Sequence, residues 1–165
     1  MILPSNYDEI DFDALYKVQK ARSSFGKKFA ADWDKKAPSF NEGVMKSAYA
    51  QEFIDKVDFT GVSTLLDFAC GAGALSVLAA KKAEQIYGYD FSPKILEFAR
   101  ENAQIYGVKN VKFAQKAFED DWSDVPECDV VFASRCLEVD DLKAALSKLL
   151  SKTKKSLYIT FKVGG

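Results

Sequence analysis

Two carboxylates and two glycines carry most of the chemistry this sequence offers. Asp67 precedes Gly71 by four residues and Gly73 by six, and Asp90 follows Gly73 by seventeen. Residues 62–67 form a short apolar run with β-branched members that ends in the small-residue stretch Ala69-Cys70-Gly71-Ala72-Gly73, after which residues 75–80 turn apolar at helical spacing. That order reads as strand, tight turn, helix. Gly71 and Gly73 lack a Cβ, so they take positive φ without strain and let a ligand come close to the backbone. The unpaired N–H groups that open the following helix face the same ligand. A negative charge beside that turn suits a cationic ligand better than a phosphate. Asp90 ends a second apolar run, residues 86–90, and a carboxylate at the tip of a second strand accepts both hydroxyls of a ribose bound at the first. There is no histidine in the chain, which excludes every mechanism that uses imidazole as base, nucleophile or ligand.

A dinucleotide-binding turn carries a third glycine three residues after the second, and this chain has Ser76 there. The run Leu66-Asp67-Phe68-Ala69-Cys70-Gly71-Ala72-Gly73 instead resembles the first motif of class I S-adenosylmethionine-dependent methyltransferases, with Ala69 in place of the usual first glycine. The stretch Tyr87-Gly88-Tyr89-Asp90-Phe91-Ser92-Pro93, with Ala99-Arg100 beyond it, is similar to the second conserved block of the same family. The resemblance implies S-adenosyl-L-methionine as cofactor and a roughly assignable binding site. Ala69, Gly71, Gly73 and the strand-end backbone would hold the methionine part, Asp67 would help orient its ammonium, and Asp90 would hold the ribose. Phe91, Ala117 and Phe118 would enclose the adenine. Here the chain departs from the family, in which an aspartate commonly occupies the position of Ala117. A backbone carbonyl, Phe118, Glu119 or Asp120 would have to substitute.

Ser134 ends the fourth strand at the sheet edge toward which the transferred methyl group points in the family, and it joins the cofactor-binding set. Arg135 and Tyr49 are candidates for the acceptor side, Arg135 for an anionic acceptor and Tyr49 because helices before the first strand sometimes reach the methionine end. The reactive sulfonium belongs to the cofactor, so no catalytic base is required and no catalytic residue is named. The acceptor is not legible.

The elements that must position these residues alternate from residue 62 onward. Strands are expected at residues 62–67, 86–90, 111–115, 128–134 and 156–163, with helices at 75–82, from Ser92-Pro93 to Gly107, and from about Asp140. Ile95, Phe98, Ala99 and Tyr106 should form the buried stripe of the second of these. Alternation of this kind means an α/β Rossmann-like, doubly wound, mainly parallel sheet with helices on both faces. Ahead of it, residues 1–61 form a helical extension of the same globular unit, which matches nothing nameable. Residues 1–9 read as an extended arm. A first helix carries Leu15, Val18 and Ala21, with Asp13 as its cap. A second starts at Ser23 or Ser24, buries Phe25 and Phe29 and ends at Pro38, with Trp33 and Phe40 offered as a lid. A third covers residues 44–55, with Val44, Ala48 and Gln51 or Glu52 on one side and Tyr49 and Phe53 beside them.

One globular domain suits 165 residues of which 48% are apolar. A net charge of −1 gives no strong nucleic-acid signal and no attraction to an anionic membrane. No run approaches the roughly 20 apolar residues of a membrane span, and the expected location is the cytoplasm. The three cysteines, Cys70, Cys128 and Cys136, show neither disulfide nor zinc spacing. A nicotinamide-dependent oxidoreductase and a non-catalytic cofactor-binding partner subunit are the alternatives. The chain runs out at the fifth strand, where the family continues to a sixth and seventh. The expectation is therefore that C-terminal strands are missing, that a homodimer pairs through the fifth-strand edge, or that the N-terminal helices fold over it.

Overall fold

The computed structural model describes residues 7–23 and 29–162. Five strands, β1 (Thr64–Phe68), β2 (Gln85–Asp90), β3 (Val111–Gln115), β4 (Cys128–Ser134) and β5 (Thr153–Thr160), form one parallel sheet in the order β3-β2-β1-β4-β5. The chain thus winds outward in both directions from β1, the doubly wound α/β pattern expected from the sequence. The point where the order reverses lies between β1 and β4, and ligands of such sheets bind beyond the carboxyl ends of the strands there.

Alternation along the central strands divides the core into two layers. Leu65, Val130 and Phe132 face a layer built with α3 (Ala48–Asp55) and α4 (Ala74–Ala79), which contribute Ala50, Phe53, Ile54 and Leu75. Leu66, Phe68, Val131 and Ala133 face the opposite layer, which is filled by Ala145 and Leu149 of α6 (Leu142–Ser151) and by Trp122 and Val125 of the loop between β3 and β4. Because both faces are covered, β1 and β4 are almost wholly buried, and their near-continuous apolar runs follow. Asp67 lies on the face of Leu65, under α4, and that placement decides its partner.

Several boundaries differ from the expected ones. α1 (Phe12–Arg22) is capped by Asp11, whose side chain accepts the Ala14 N–H at 2.9 Å, and not by Asp13, which pairs with Lys17 instead. α2 (Ala30–Lys46) begins after Phe29 and runs through Pro38. The proline lacks the N–H that would meet the Asp34 carbonyl, a cost the helix bears because its neighbours hold it. Phe29 is exposed where burial was expected, and Ser24 and Phe25 lie outside the described residues. The expected helix over 44–55 is broken at Ser47, whose extended backbone ends α2 and whose hydroxyl caps α3 by accepting the Tyr49 N–H. The buried positions of α3 are Ala50, Phe53 and Ile54, and Ala48 is exposed.

α5 (Pro93–Ile105) buries Ile95, Leu96, Ala99, Asn102 and Ala103. Tyr106, expected in this stripe, is exposed just past the end of the helix. β5 starts directly after α6, earlier than expected, because Thr153 pairs with Cys128 and Lys154 and Lys155 are carried through a register shift before Ser156 pairs with Val130. In the sheet order β5 is an end strand, and Val163 lies outside the described residues.

Gly88, in the middle of β2, is crossed by the Phe113 ring of β3. A Cβ there would stand 2.6 Å from two ring carbons and 3.3 Å from the Cys70 sulfur. Gly88→Ala is therefore expected to cost about 1–3 kcal/mol, read as a lower Tm, and Phe113→Leu in the same chain should recover most of the loss. Simple addition of the two single-variant losses would show that the ring is not the obstacle.

Candidate functional site

The turn after β1 is built from backbone. Ala69, Gly71 and Gly73 have φ of 59°, 56° and 82°, so every second residue is left-handed. Ala69 therefore occupies a conformation that favours glycine, at a cost of about 1–2 kcal/mol, which explains why a glycine would be expected at that position. The Cys70 N–H donates to the Tyr89 carbonyl at 2.9 Å and the Gly73 N–H to the Cys70 carbonyl at 3.0 Å, tying the turn to β2 and to itself. A Cβ on Gly73 would press on Phe113 and Ala99, so this glycine lets α5 and β3 close in. Gly71 opens in another direction. A Cβ on it would stand 2.9 Å from the Phe40 ring of α2, so this glycine lets that ring pack directly on the turn. α4 has only six residues.

Asp90, at the tip of β2, reaches into this turn. One carboxylate oxygen accepts the Gly71 N–H and the other the Ser92 N–H, both at 3.0 Å. Burial pushes its pKa up, and hydrogen bonds from the Ser92, Gly71 and Phe91 backbone oppose that rise. These bonds use only part of a carboxylate's capacity of about four, so lone pairs remain on Asp90. The spare lone pairs of Asp90 suit the hydroxyl groups of a nucleoside.

Asp67 is almost completely buried and accepts the Ser76 hydroxyl at 2.6 Å. Burial raises its pKa to about 7, the charge of Asp90 adds to the rise, and the Ser76 bond opposes it. Thus Ser76, notable in the sequence only as an absent glycine, holds the carboxylate under α4.

The residues expected around adenine separate. Phe91 is half-buried next to Asp90, with its carbonyl held by Gln115 Nε2 at 3.0 Å. Phe118 packs into the core, its ring centroid 4.6 Å from that of Phe68 and 5.8 Å from that of Trp122. The Ala117 carbonyl accepts the Trp122 indole N–H at 2.9 Å, and the Ala117 N–H donates to Asp120 at 2.7 Å. Both backbone groups of Ala117, and one carboxylate oxygen of Asp120, therefore already have partners within their own loop.

The far wall comes from α2. Asp34 accepts the Ser92 hydroxyl at 2.6 Å and the Lys94 N–H at 3.3 Å, adding a second acceptor to the start of α5. Asn102 of α5 donates both to Asn41 at 2.7 Å and to the Ala72 carbonyl at 2.9 Å, so one buried amide joins α2, α5 and the glycine turn. Trp33 meets Phe40 edge to face at 5.6 Å. The sequence offered Trp33 and Phe40 as a lid near a helix end and loop, whereas both lie within α2. Asp34 and Asn41 were missed because a polar residue on a surface-type helix carries no signal of its partner, which lies some sixty residues away.

At the carboxyl edge of the sheet, the Tyr49 hydroxyl lies 2.8 Å from Ser134 Oγ and 2.6 Å from Thr160 Oγ1, and those two are 3.1 Å apart. The Arg135 guanidinium carbon sits 3.6 Å from the centroid of the Tyr49 ring. Ser134, Arg135 and Tyr49 are thus brought together as one group. Thr160 is the member that the sequence did not reveal.

The buried Asp67 gives stability a pH signature. A group with an ordinary pKa of 3.8 and a folded value of about 7 keeps its proton in the folded state while the unfolded chain loses it. Its contribution is fully present below the ordinary value and fades as pH rises to the folded one, by up to about 1.4 kcal/mol per pH unit. Between pH 5 and pH 8 the Tm of the wild type should therefore fall relative to that of Asp67→Asn, which does not titrate and still accepts from Ser76. A Tm difference that stays constant with pH would contradict the assignment.

Residues 60–162 match a family model described as a methyltransferase domain. An uncharacterised protein of Haemophilus influenzae is 32% identical over 154 residues, which cover 92% of this chain and 58% of that protein. Among solved structures, an O-methyltransferase family protein from Burkholderia thailandensis aligns over 90% of this chain and 49% of its own, with a TM-score of 0.69 at 17% identity. The DhpI complex with SAH aligns over 76% of this chain and 62% of its own, with a TM-score of 0.61 at 21% identity. The chain thus spans little more than half the length of the curated relative it matches. The model match, the doubly wound sheet and the glycine turn agree, and the chain belongs to the methyltransferase-domain family.

Proposed function

We propose that this chain binds S-adenosyl-L-methionine in the turn after β1 and transfers its methyl group, in the class I manner, to an acceptor seated at the carboxyl edge of β4. The observation that carries this reading is the Asp90 carboxylate held 3.0 Å from the Gly71 N–H, which sets a ribose acceptor directly against the bare backbone of the glycine turn. Bound there, the cofactor supplies an electrophilic methyl group on a sulfonium and leaves as the neutral thioether. The protein's task is orientation.

Each part of the site has a role in that task. Ala69, Gly71 and Gly73 hold the methionine part through backbone, and Asp90 takes the ribose. Phe91 lies against the adenine. Ala117 and Phe118 support that end from the loop, where their own packing fixes the wall rather than a side-chain contact. Asp67, tied to Ser76, steadies the turn, and the incoming ammonium favours its ionised form. Ser134 borders the methyl group, with Tyr49 and Arg135 on the acceptor side. The Phe40 ring over Gly71 keeps water from the turn. A nicotinamide dinucleotide fits less well, because Ser76 stands where its third glycine would be and is engaged with Asp67.

No helix among the described residues is long and apolar enough to cross a membrane. Among the described residues no group of histidine, cysteine or carboxylate side chains suits a metal ion.

Calorimetric titration tests the reading. S-Adenosylhomocysteine should bind the wild type and NADH should not. Asp90→Ala should weaken S-adenosylhomocysteine at least about tenfold, since hydrogen bonds to a charged partner contribute about 1.5–3 kcal/mol each. NADH binding, or an unchanged affinity in Asp90→Ala, would overturn it.

A further inference from the structure

The edge of β4 and β5 combines a cation with three hydroxyls, and their arrangement bears on the acceptor. Ala133 pairs with Phe68 in register, so Ser134 and Arg135 continue beside Ala69, the first left-handed residue of the glycine turn. Arg135 is itself left-handed, with φ 54°, and its N–H donates to the Thr160 carbonyl at 2.9 Å. A side chain other than glycine held in that conformation costs about 1–2 kcal/mol. Residues held this way gather at binding sites.

The guanidinium stacks on the Tyr49 ring at 3.6 Å, and among the described residues no carboxylate lies within ion-pair distance of it. Stacking on a ring leaves the donor edge of the guanidinium plane free, and that fork matches the two oxygens of a carboxylate or phosphate. Arg135 is exposed, so the donors are accessible.

The three hydroxyls complement it. Tyr49, Ser134 and Thr160 make three mutual contacts and own three O–H hydrogens. A closed ring of bonds uses every hydrogen and leaves each oxygen a lone pair. The cluster therefore offers acceptors next to a cation that offers donors. A molecule complementary to both has an anionic oxyacid group and, beside it, a nucleophile that still carries its proton.

We propose that the methyl acceptor bears a carboxylate or phosphate received by Arg135, and an O–H or N–H nucleophile that donates to the Tyr49, Ser134 and Thr160 hydroxyls. This rests on the methyl-transfer reading above, and S-adenosylhomocysteine binding, measured first on the same samples, keeps the two separable. Protein saturated with S-adenosylhomocysteine is titrated with 4-hydroxybenzoate, 4-hydroxyphenyl phosphate and the neutral 4-hydroxybenzamide. At least one anion should bind about tenfold or more tighter than the amide, and which of the two does so identifies the group. Arg135→Gln should abolish that preference with S-adenosylhomocysteine affinity unchanged, and Arg135→Lys should restore part of it. Equal binding of anions and amide, or a preference that survives in Arg135→Gln, would overturn the proposal.

Discussion

The bond between the Asp90 carboxylate and the Gly71 N–H is the constraint on which the site depends. It spans nineteen residues of sequence at 3.0 Å, and it fixes the end of β2 against the turn after β1. Without it the turn would keep the backbone bonds from Cys70 to Tyr89 and from Gly73 to Cys70 and the Asn102 amide on the Ala72 carbonyl, and none of these would reach the tip of β2 at Asp90. The carboxylate has been taken out of water to make this contact, and the Gly71 and Ser92 N–H groups keep that burial tolerable. A second carboxylate, Asp67, is buried in the same region with one hydroxyl partner, and its raised pKa is the consequence. The region is thus dry and holds two carboxyls whose ionised forms burial disfavours, and a cation brought beside them would favour ionisation.

The same bond explains why the N-terminal helices matter. Asp34 binds Ser92, whose N–H is already held by Asp90, and Asn102 joins Asn41 to the Ala72 carbonyl of the turn. These contacts draw α2 over the turn and put Phe40 on Gly71. Helix, turn and strand tip therefore share one hydrogen-bonded network. Networks of this kind are costly when one member is lost, because the remaining polar groups stay buried without partners.

The doubly wound sheet was legible in the sequence because its signals are local. β3 and β4 fall at the expected residues, and the glycine turn and Ser92-Pro93 declare their conformations through residue type alone. Ala69 shows the limit of that reading, since only the backbone reveals that it takes the φ of the glycine it replaces. The N-terminal helices were the least legible part. Pro38 and the exposed Phe29 broke the expected pattern because tertiary contacts at Asp34, Phe40 and Asn41 hold α2 against its own propensities. Tyr49, Ser134 and Arg135 were singled out one at a time, and their union with Thr160 depends on β4 and β5 lying side by side, which no short-range pattern encodes.

The central claim is that one ligand binds between the glycine turn, Asp90 and α2. Backbone hydrogen–deuterium exchange with and without S-adenosylhomocysteine tests it most directly. The account predicts slower exchange at residues 69–73, at 91 and 92, and along residues 34–41, with α6 and the start of β5 unchanged. Protection confined to other segments, or none in the turn, would contradict it.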